Sequence, residues 1–276
     1  MYAKTELKAS NTESYDYEAA ALIEYIFGLS RTSLIIRYDH EITDNGLKER
    51  FLDCIQRRKN GEPLQYIMGY TDFYGRRFFV GQGVLIPRFD TEILIDTALT
   101  ALETVKSPVI IDLCSGSGAI AVTLYKEIEH CEMYAVELSV DACKYLDVNI
   151  DVNTADGIKV INDDIFTCYT QFEDNSFDAI VSNPPYIKTN EIPTLQRETS
   201  YEPQMSLDGG DDGMDYYRAI IKHWSPKLKQ NGLLAFEIDD GQQDTLKTLL
   251  INAGYKNIKT QIDLQGLTRV ISAIKK

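Results

Sequence analysis

The chain has 276 residues, enough for one large or two modest domains around a real hydrophobic core. Hydrophobic residues make up 44% and charged residues 25%, which is ordinary for a soluble globular protein. The formal net charge of −14 argues against a dominant, salt-driven grip on nucleic acid, which needs a basic surface.

No stretch approaches the roughly 18 apolar residues of a membrane span. The polar N-terminus, "MYAKTELKASNTESYDYE", lacks the apolar core of a signal peptide. The five cysteines show no CxxC or metal-ligand spacing, which fits a reduced, cytoplasmic setting. The three histidines, His40, His130 and His223, are scattered, so no histidine-centred metal site is expected.

Helices come first. "YDYEAAALIEYIFGLS" places Ala19, Leu22, Ile23, Ile26 and Phe27 on one face at helical spacing. "TDNGLKERFLDCIQRRKNGEP" repeats the pattern with Leu47, Phe51, Leu52 and Ile55 and stops at Asn60-Gly61 and Pro63. "SLIIRYD", between them, is too short to classify. Residues 1–62 therefore read as a small helical domain. "YIMGYTDFYGRRFFVGQGVLIPR" is aromatic, β-branched and punctuated by glycines, so 63–89 reads as a β-hairpin linker.

From residue 90 to 276 apolar strands alternate with helical patterns. "VIIDLC", "EMYAVEL", "IKVINDDIF", "FDAIVSN" and "GLLAFEI" are the strands, and such alternation argues for a parallel sheet covered on both faces. The end differs: "NIKTQIDL" and "RVISAIK" are joined by the short turn "QGLT", which forces antiparallel pairing. An α/β sheet that closes on an antiparallel strand is the Rossmann-like architecture of class I S-adenosylmethionine (SAM)-dependent methyltransferases. That analogy concerns fold, so function has to come from the site.

In "IIDLCSGSGAIA" a strand runs straight into a small-residue turn and a helix, so Cys114, Ser115, Gly116, Ser117 and Gly118 form a candidate cofactor loop. The loop also matches a dinucleotide fingerprint. An acid closes the next strand: Glu137 stands nineteen positions after Gly118, placed to hold ribose hydroxyls. "NDDIF" ends the following strand, where Asp164 can accept from an adenine amino group and Ile165 can cover the ring. These strand ends converge on one crevice. The next strand delivers Asn183-Pro184-Pro185-Tyr186, for which a dehydrogenase has no evident use, so the cofactor reads as SAM.

Proline cannot continue a sheet ladder and pushes the residue before it into an extended conformation. Asn183-Pro184-Pro185-Tyr186 is therefore a stiff element with unclaimed carbonyls. A planar NH₂ is a poor nucleophile because its lone pair is delocalised, and methylating it needs positioning more than a strong base. The Asn183 oxygen and a Pro-Pro carbonyl, Pro184 by choice, can hold the two hydrogens, while Tyr186 supplies a flat wall. Because a neutral thioether leaves, no metal is needed. Adenine-N6 and guanine-N2 methyltransferases carry similar tetrapeptides, so an amino methyltransferase acting on nucleic acid is the alternative reading.

"EPLQYIMGYTDFYGRRFFVGQGVLIPRFDTE", "DLCSGSGAIA", "NPPYI", "YEPQMSLDGGDDGMDYYR" and "EID" before "DLQGLTRV" together resemble the PrmC/HemK family, in order and spacing, across nearly the whole chain. The resemblance implies methylation of the glutamine side-chain amide nitrogen (N5) in the Gly-Gly-Gln motif of peptide chain release factors. SAM would become S-adenosylhomocysteine. It implies SAM contacts at Cys114 to Gly118, Glu137, Ile165 and Asn183, and substrate contacts at Asn183, Pro184, Pro185 and Tyr186. The helical domain would hold the release factor, with no membrane, no direct nucleic-acid binding and a monomeric state. Cys114 stands where the family often has glycine, Glu137 replaces a commoner aspartate, "PRFDTE" replaces "PRPETE", and Asp239 sits where glycine is frequent. Arg88 and Glu92 are candidates to line the pocket or to pair at a helix start. "LDGGDDGMD" lacks the spacing of a calcium loop and reads as a loop near the substrate entrance.

Overall fold

The computed structural model describes residues 2–36 and 43–276. Two compact units emerge, one of Met1–Tyr70 with Gln196–Tyr201, the other of Thr71–Leu195 with Glu202–Lys276.

The first unit is helical: α1 (Tyr2–Ala9), α2 (Tyr15–Phe27), α3 (Arg31–Ile36), α4 (Asn45–Lys59) and α5 (Leu64–Met68). Asp44 caps α4 by accepting from the Leu47 N–H at 3.0 Å, which satisfies one of the donors a helix start leaves unpaired. Leu7, Leu22, Ile26, Phe51 and Ile55 form the core, with Ile23, Phe27 and Leu47 packed against it. Leu52 shares the spacing of this set but is exposed. The unclassified "SLIIRYD" begins in α3. Its last three residues, 37–39, and His40 lie outside the described residues.

Residues Gln196–Tyr201 join this unit through polar bonds. Arg58, 6% exposed, pairs with Glu18 at 2.5 Å and with Glu198 at 2.6 Å. Arg197 donates to the Lys59 carbonyl at 3.1 Å, and the Tyr201 hydroxyl donates to the Asn60 carbonyl at 3.0 Å.

The second unit opens with a two-stranded hairpin, β1 (Tyr70–Phe73, whose first residue still counts with the helices) and β2 (Arg76–Phe79), followed by α6 (Glu92–Leu102). Then come β3 (Val109–Leu113), α7 (Ala119–Glu127), β4 (Glu132–Glu137), α8 (Val140–Val152), β5 (Lys159–Asn162) and β6 (Phe177–Ser182). The rest is α9 (Asp215–Ala219, continued by a π-helical stretch to Trp224), β7 (Leu228–Glu237), α10 (Gln243–Asn252), β8 (Lys256–Ile262) and β9 (Thr268–Ile274).

The strands form one sheet in the order β5-β4-β3-β6-β7-β9-β8, parallel except for β9, which runs antiparallel to both β7 and β8. Successive residues of β3 serve opposite cores, as a sheet covered on both faces requires. Ile110 packs with Leu94, Leu124 and Leu146, whereas Ile111 packs with Tyr217, Trp224 and Leu246. Leu113 lies opposite both Val136 and Ser182, so β3, β4 and β6 end at one level. The chain winds outward from β3 in both directions, and the crevice at that reversal is where open α/β sheets take ligands. Among the described residues no helix is long and apolar enough to cross a membrane.

Candidate active site

A cavity opens at that crevice. Of the residues expected from the sequence, Cys114, Gly116, Glu137, Asp164, Ile165, Asn183 and Pro185 line it. Ser115, Ser117, Gly118, Pro184 and Tyr186 do not. Ser115 and Ser117 are buried inside the turn, where the Ser115 hydroxyl donates to the Asp112 carbonyl at 3.0 Å and the Ser117 carbonyl accepts from Asn149 at 2.9 Å. Gly118 has a φ of +81°, and a Cβ there would lie 2.3 Å from a Leu146 methyl carbon, so only glycine lets α8 pack this close.

Cys114 takes the left-handed conformation at a φ of +63° with its side chain in place, a strain of about 1 kcal/mol. Burial pushes its thiol well above the usual range, with Glu137 and Asp112 pushing the same way.

Glu137 is buried and both its oxygens are engaged. Oε2 accepts from the Gly116 N–H at 2.7 Å and Oε1 from the Ser139 N–H at 2.7 Å. It therefore locks the glycine turn to the end of β4 and keeps one free lone pair per oxygen. Burial raises its carboxyl above the ordinary range, against the pull of those N–H groups. Asp164 accepts from the Phe166 N–H at 2.9 Å, and Ile165 is nearly fully buried. Trp224, the single tryptophan of the chain, donates to the Ile165 carbonyl at 2.9 Å.

Asn183 follows β6. Its Nδ2 donates to Thr91 Oγ1 at 3.4 Å. The Tyr186 hydroxyl donates to Glu237 Oε1 at 3.3 Å, so this ring is anchored from behind. The "LDGGDDGMD" loop braces the same element. Ile187 N–H donates to the Leu207 carbonyl at 2.9 Å, and Gly209 N–H returns a bond to the Ile187 carbonyl at 2.8 Å. A Cβ on Gly209 would sit 2.7 Å from Tyr186 Cα, so the loop's small residue lets two backbones touch. Gln242 adds a bond to the Tyr186 carbonyl at 3.0 Å.

Arg88 and Glu92 do not pair with each other, and neither lines the cavity. Arg88 pairs with Glu202, whose other oxygen accepts from Ile86 N–H at 3.0 Å; Glu92 accepts from Tyr74 N–H at 2.7 Å and so fastens the hairpin. Sequence reasoning also passed over several residues. Val84, Leu85, Met205 and Tyr216 line the cavity; they lie within stretches that carry the family resemblance, but their residue types suggested no role of their own. Asp112, at the end of β3, is fully buried and neither of its carboxylate oxygens has a hydrogen-bond partner. Burial pushes its carboxyl up to about 8. A charge inside an apolar run was the available signal, since a buried acid normally has a partner.

Comparison with known proteins bears directly on this arrangement. Residues 1–69 match the PrmC N-terminal domain and residues 89–198 the methyltransferase small domain. A release factor glutamine methyltransferase of Clostridium acetobutylicum is 36% identical over 275 residues, covering 99% of this chain and 96% of its own. The chain belongs to the release factor glutamine methyltransferase family. Another member, from Thermodesulfovibrio yellowstonii, is 37% identical over 79% of this chain and 78% of its own. The fold is shared more widely: the hMettl16 catalytic domain in complex with a MAT2A 3'UTR hairpin is 13% identical, covers 83% of this chain and 80% of its own, and has a TM-score of 0.58. With the family established, the sheet and its antiparallel last strand are those of a SAM-dependent methyltransferase.

Proposed function

We propose that this family member transfers a methyl group from SAM to the side-chain amide nitrogen of the glutamine in the Gly-Gly-Gln motif of peptide chain release factors. The observation that carries the reading is Asn183 at the mouth of β6. Its NH₂ is taken by Thr91, and no described residue donates to its oxygen.

The residues present suit the cofactor. Glu137 retains a lone pair on each oxygen for ribose hydroxyls, and Asp164 lies beside the apolar cover of Ile165. Bound SAM supplies a methyl group on a sulfonium and leaves as S-adenosylhomocysteine, a neutral thioether.

The protein's task is then to hold an amide. Asn183 Oδ1 and the Pro184 carbonyl accept the two hydrogens of the substrate NH₂, which fixes the nitrogen against the cavity. Pro185 keeps the carbonyls rigid, and Tyr186, anchored by Glu237, faces the planar group. Alignment of this kind is worth several kcal/mol in rate. The helical unit holds the body of the release factor, since one glutamine side chain resembles every other and the pocket alone cannot select it. A cytoplasmic setting follows from such a partner.

The test is to incubate the purified protein with isotope-labelled SAM, intact release factor and DNA, and to locate the label by mass spectrometry. Label on the Gly-Gly-Gln glutamine is the expected result. Label on DNA with none on the release factor would overturn the reading.

A further inference from the structure

Two stretches noted in the sequence, "PRFDTE" and "EID", meet behind Asn183. Thr91 and Glu237 are each 3% exposed. The Thr91 hydroxyl donates to Glu237 Oε2 at 2.5 Å, and its oxygen accepts from Asn183 Nδ2 at 3.4 Å. Tyr186 donates to the other Glu237 oxygen at 3.3 Å.

The direction of these bonds has a chemical consequence. An ionised carboxylate only accepts, and a hydroxyl has a single hydrogen to give. Thr91 directs that hydrogen to Glu237, so only its lone pairs face Asn183. The asparagine must answer with NH₂, which turns its oxygen the other way. Shape alone cannot make this choice, because the two ends of an amide are nearly the same size. A reversed amide would set NH₂ against the NH₂ of the substrate and hold nothing.

We infer that Thr91 and Glu237 are positioning residues whose hydrogen-bond relay fixes the acceptor end of Asn183 toward the substrate amide, an inference that rests on the function proposed above. The relay depends on the charge of Glu237. Burial raises its carboxyl to about 7; the bonds from Thr91 and Tyr186 lower it, Asp90 raises it and Arg269 lowers it. The Tyr217 hydroxyl reaches the Glu237 backbone carbonyl at 2.8 Å, and Asp239 and Arg88 act on the same Tyr186. A protonated Glu237 has a hydrogen to give to Thr91, which frees the Thr91 hydrogen to turn toward Asn183 and reverses the relay.

The experiment compares full-length wild type, Thr91→Val, Thr91→Ser and Glu237→Gln, using SAM and intact release factor and measuring kcat, KM and SAM affinity. Thr91→Val keeps the shape and loses the hydroxyl; kcat should fall about tenfold or more with SAM affinity unchanged. Thr91→Ser should restore kcat to near wild type. Wild-type kcat should decline below neutral pH, and Glu237→Gln should lack that decline. Thr91→Val turning over like wild type would overturn the relay. So would Thr91→Ser being as impaired as Thr91→Val, or the acid decline persisting in Glu237→Gln. A wild-type enzyme that leaves release factor unlabelled removes the underlying reading, and the relay with it.

Discussion

Replacing Glu137 tests the cofactor end of the site. Its two oxygens each accept a backbone N–H at 2.7 Å, one from Gly116 in the turn and one from Ser139 at the start of α8. Hydrogen bonds to a charged group are worth about 1.5–3 kcal/mol each. Glutamine has one oxygen, so Glu137→Gln keeps at most one of these bonds and sets its NH₂ against the other N–H. Relief from burying a charge offsets part of the loss, because burial already raises this carboxyl. The net effect should be a loss of about 1–3 kcal/mol in stability. Displacement of the Gly116 turn should weaken SAM binding by about tenfold or more, about 1.4 kcal/mol. Urea denaturation followed through Trp224, buried and bonded to the Ile165 carbonyl, reads the first quantity; calorimetric titration with SAM reads the second. A Glu137→Gln protein with both the wild-type denaturation midpoint and the wild-type SAM affinity would show that this carboxylate neither locks the turn nor reaches the cofactor.

Asp112 should give the apo protein a stability that falls with pH. Its carboxyl titrates near 3.8 when unfolded and near 8 when folded, so between those values the folded state holds the extra proton. Asp112→Asn lacks that slope, so its stability relative to wild type should climb by up to about 1.4 kcal/mol per pH unit; parallel profiles at pH 5 and pH 8 would refute this. In the helical unit, Arg58→Met leaves Glu18 without its buried partner and should cost about 3 kcal/mol. Faster proteolysis near residues 196–201 should accompany that loss, and an unchanged cleavage rate would deny the role of the Arg58–Glu198 pair. Gly209→Ala forces a carbon against the Tyr186 backbone and should reduce kcat while sparing SAM affinity, with equal kcat as the refuting result.

The strands of the sheet were legible because a strand buried on both faces is a short continuous apolar run, as in Ala179–Val181. The glycine turn, Glu137 and Asn183 were legible because each closes such a run. Other features have no local pattern. α1 buries only Ala3 and Leu7 in an otherwise polar stretch, too little for periodicity to show. Leu52 fits the helical spacing and is exposed, since a spacing marks a face wider than the contact it makes. Glu198 reaches Arg58 across 140 positions, and Thr91 reaches Glu237 across 146, so neither pairing leaves a mark in any window of sequence. The acids and glycines of "LDGGDDGMD" read only as a loop near the substrate entrance, and nothing in their spacing told that its backbone turns inward onto Tyr186.

The six residues 196–201 have a consequence for inheritance. The chain passes between its two units three times, at 70–71, 195–196 and 201–202. A module joined by a single linker can be exchanged by one recombination event, or by one splice at the bench. Here the helices would arrive without the short stretch that supplies Glu198 to Arg58 and Tyr201 to Asn60, and the core would keep a strap cut for another owner. A successful chimera needs three coordinated crossovers, the first more than a hundred residues from the other two, so the helical unit and this core should travel through evolution together.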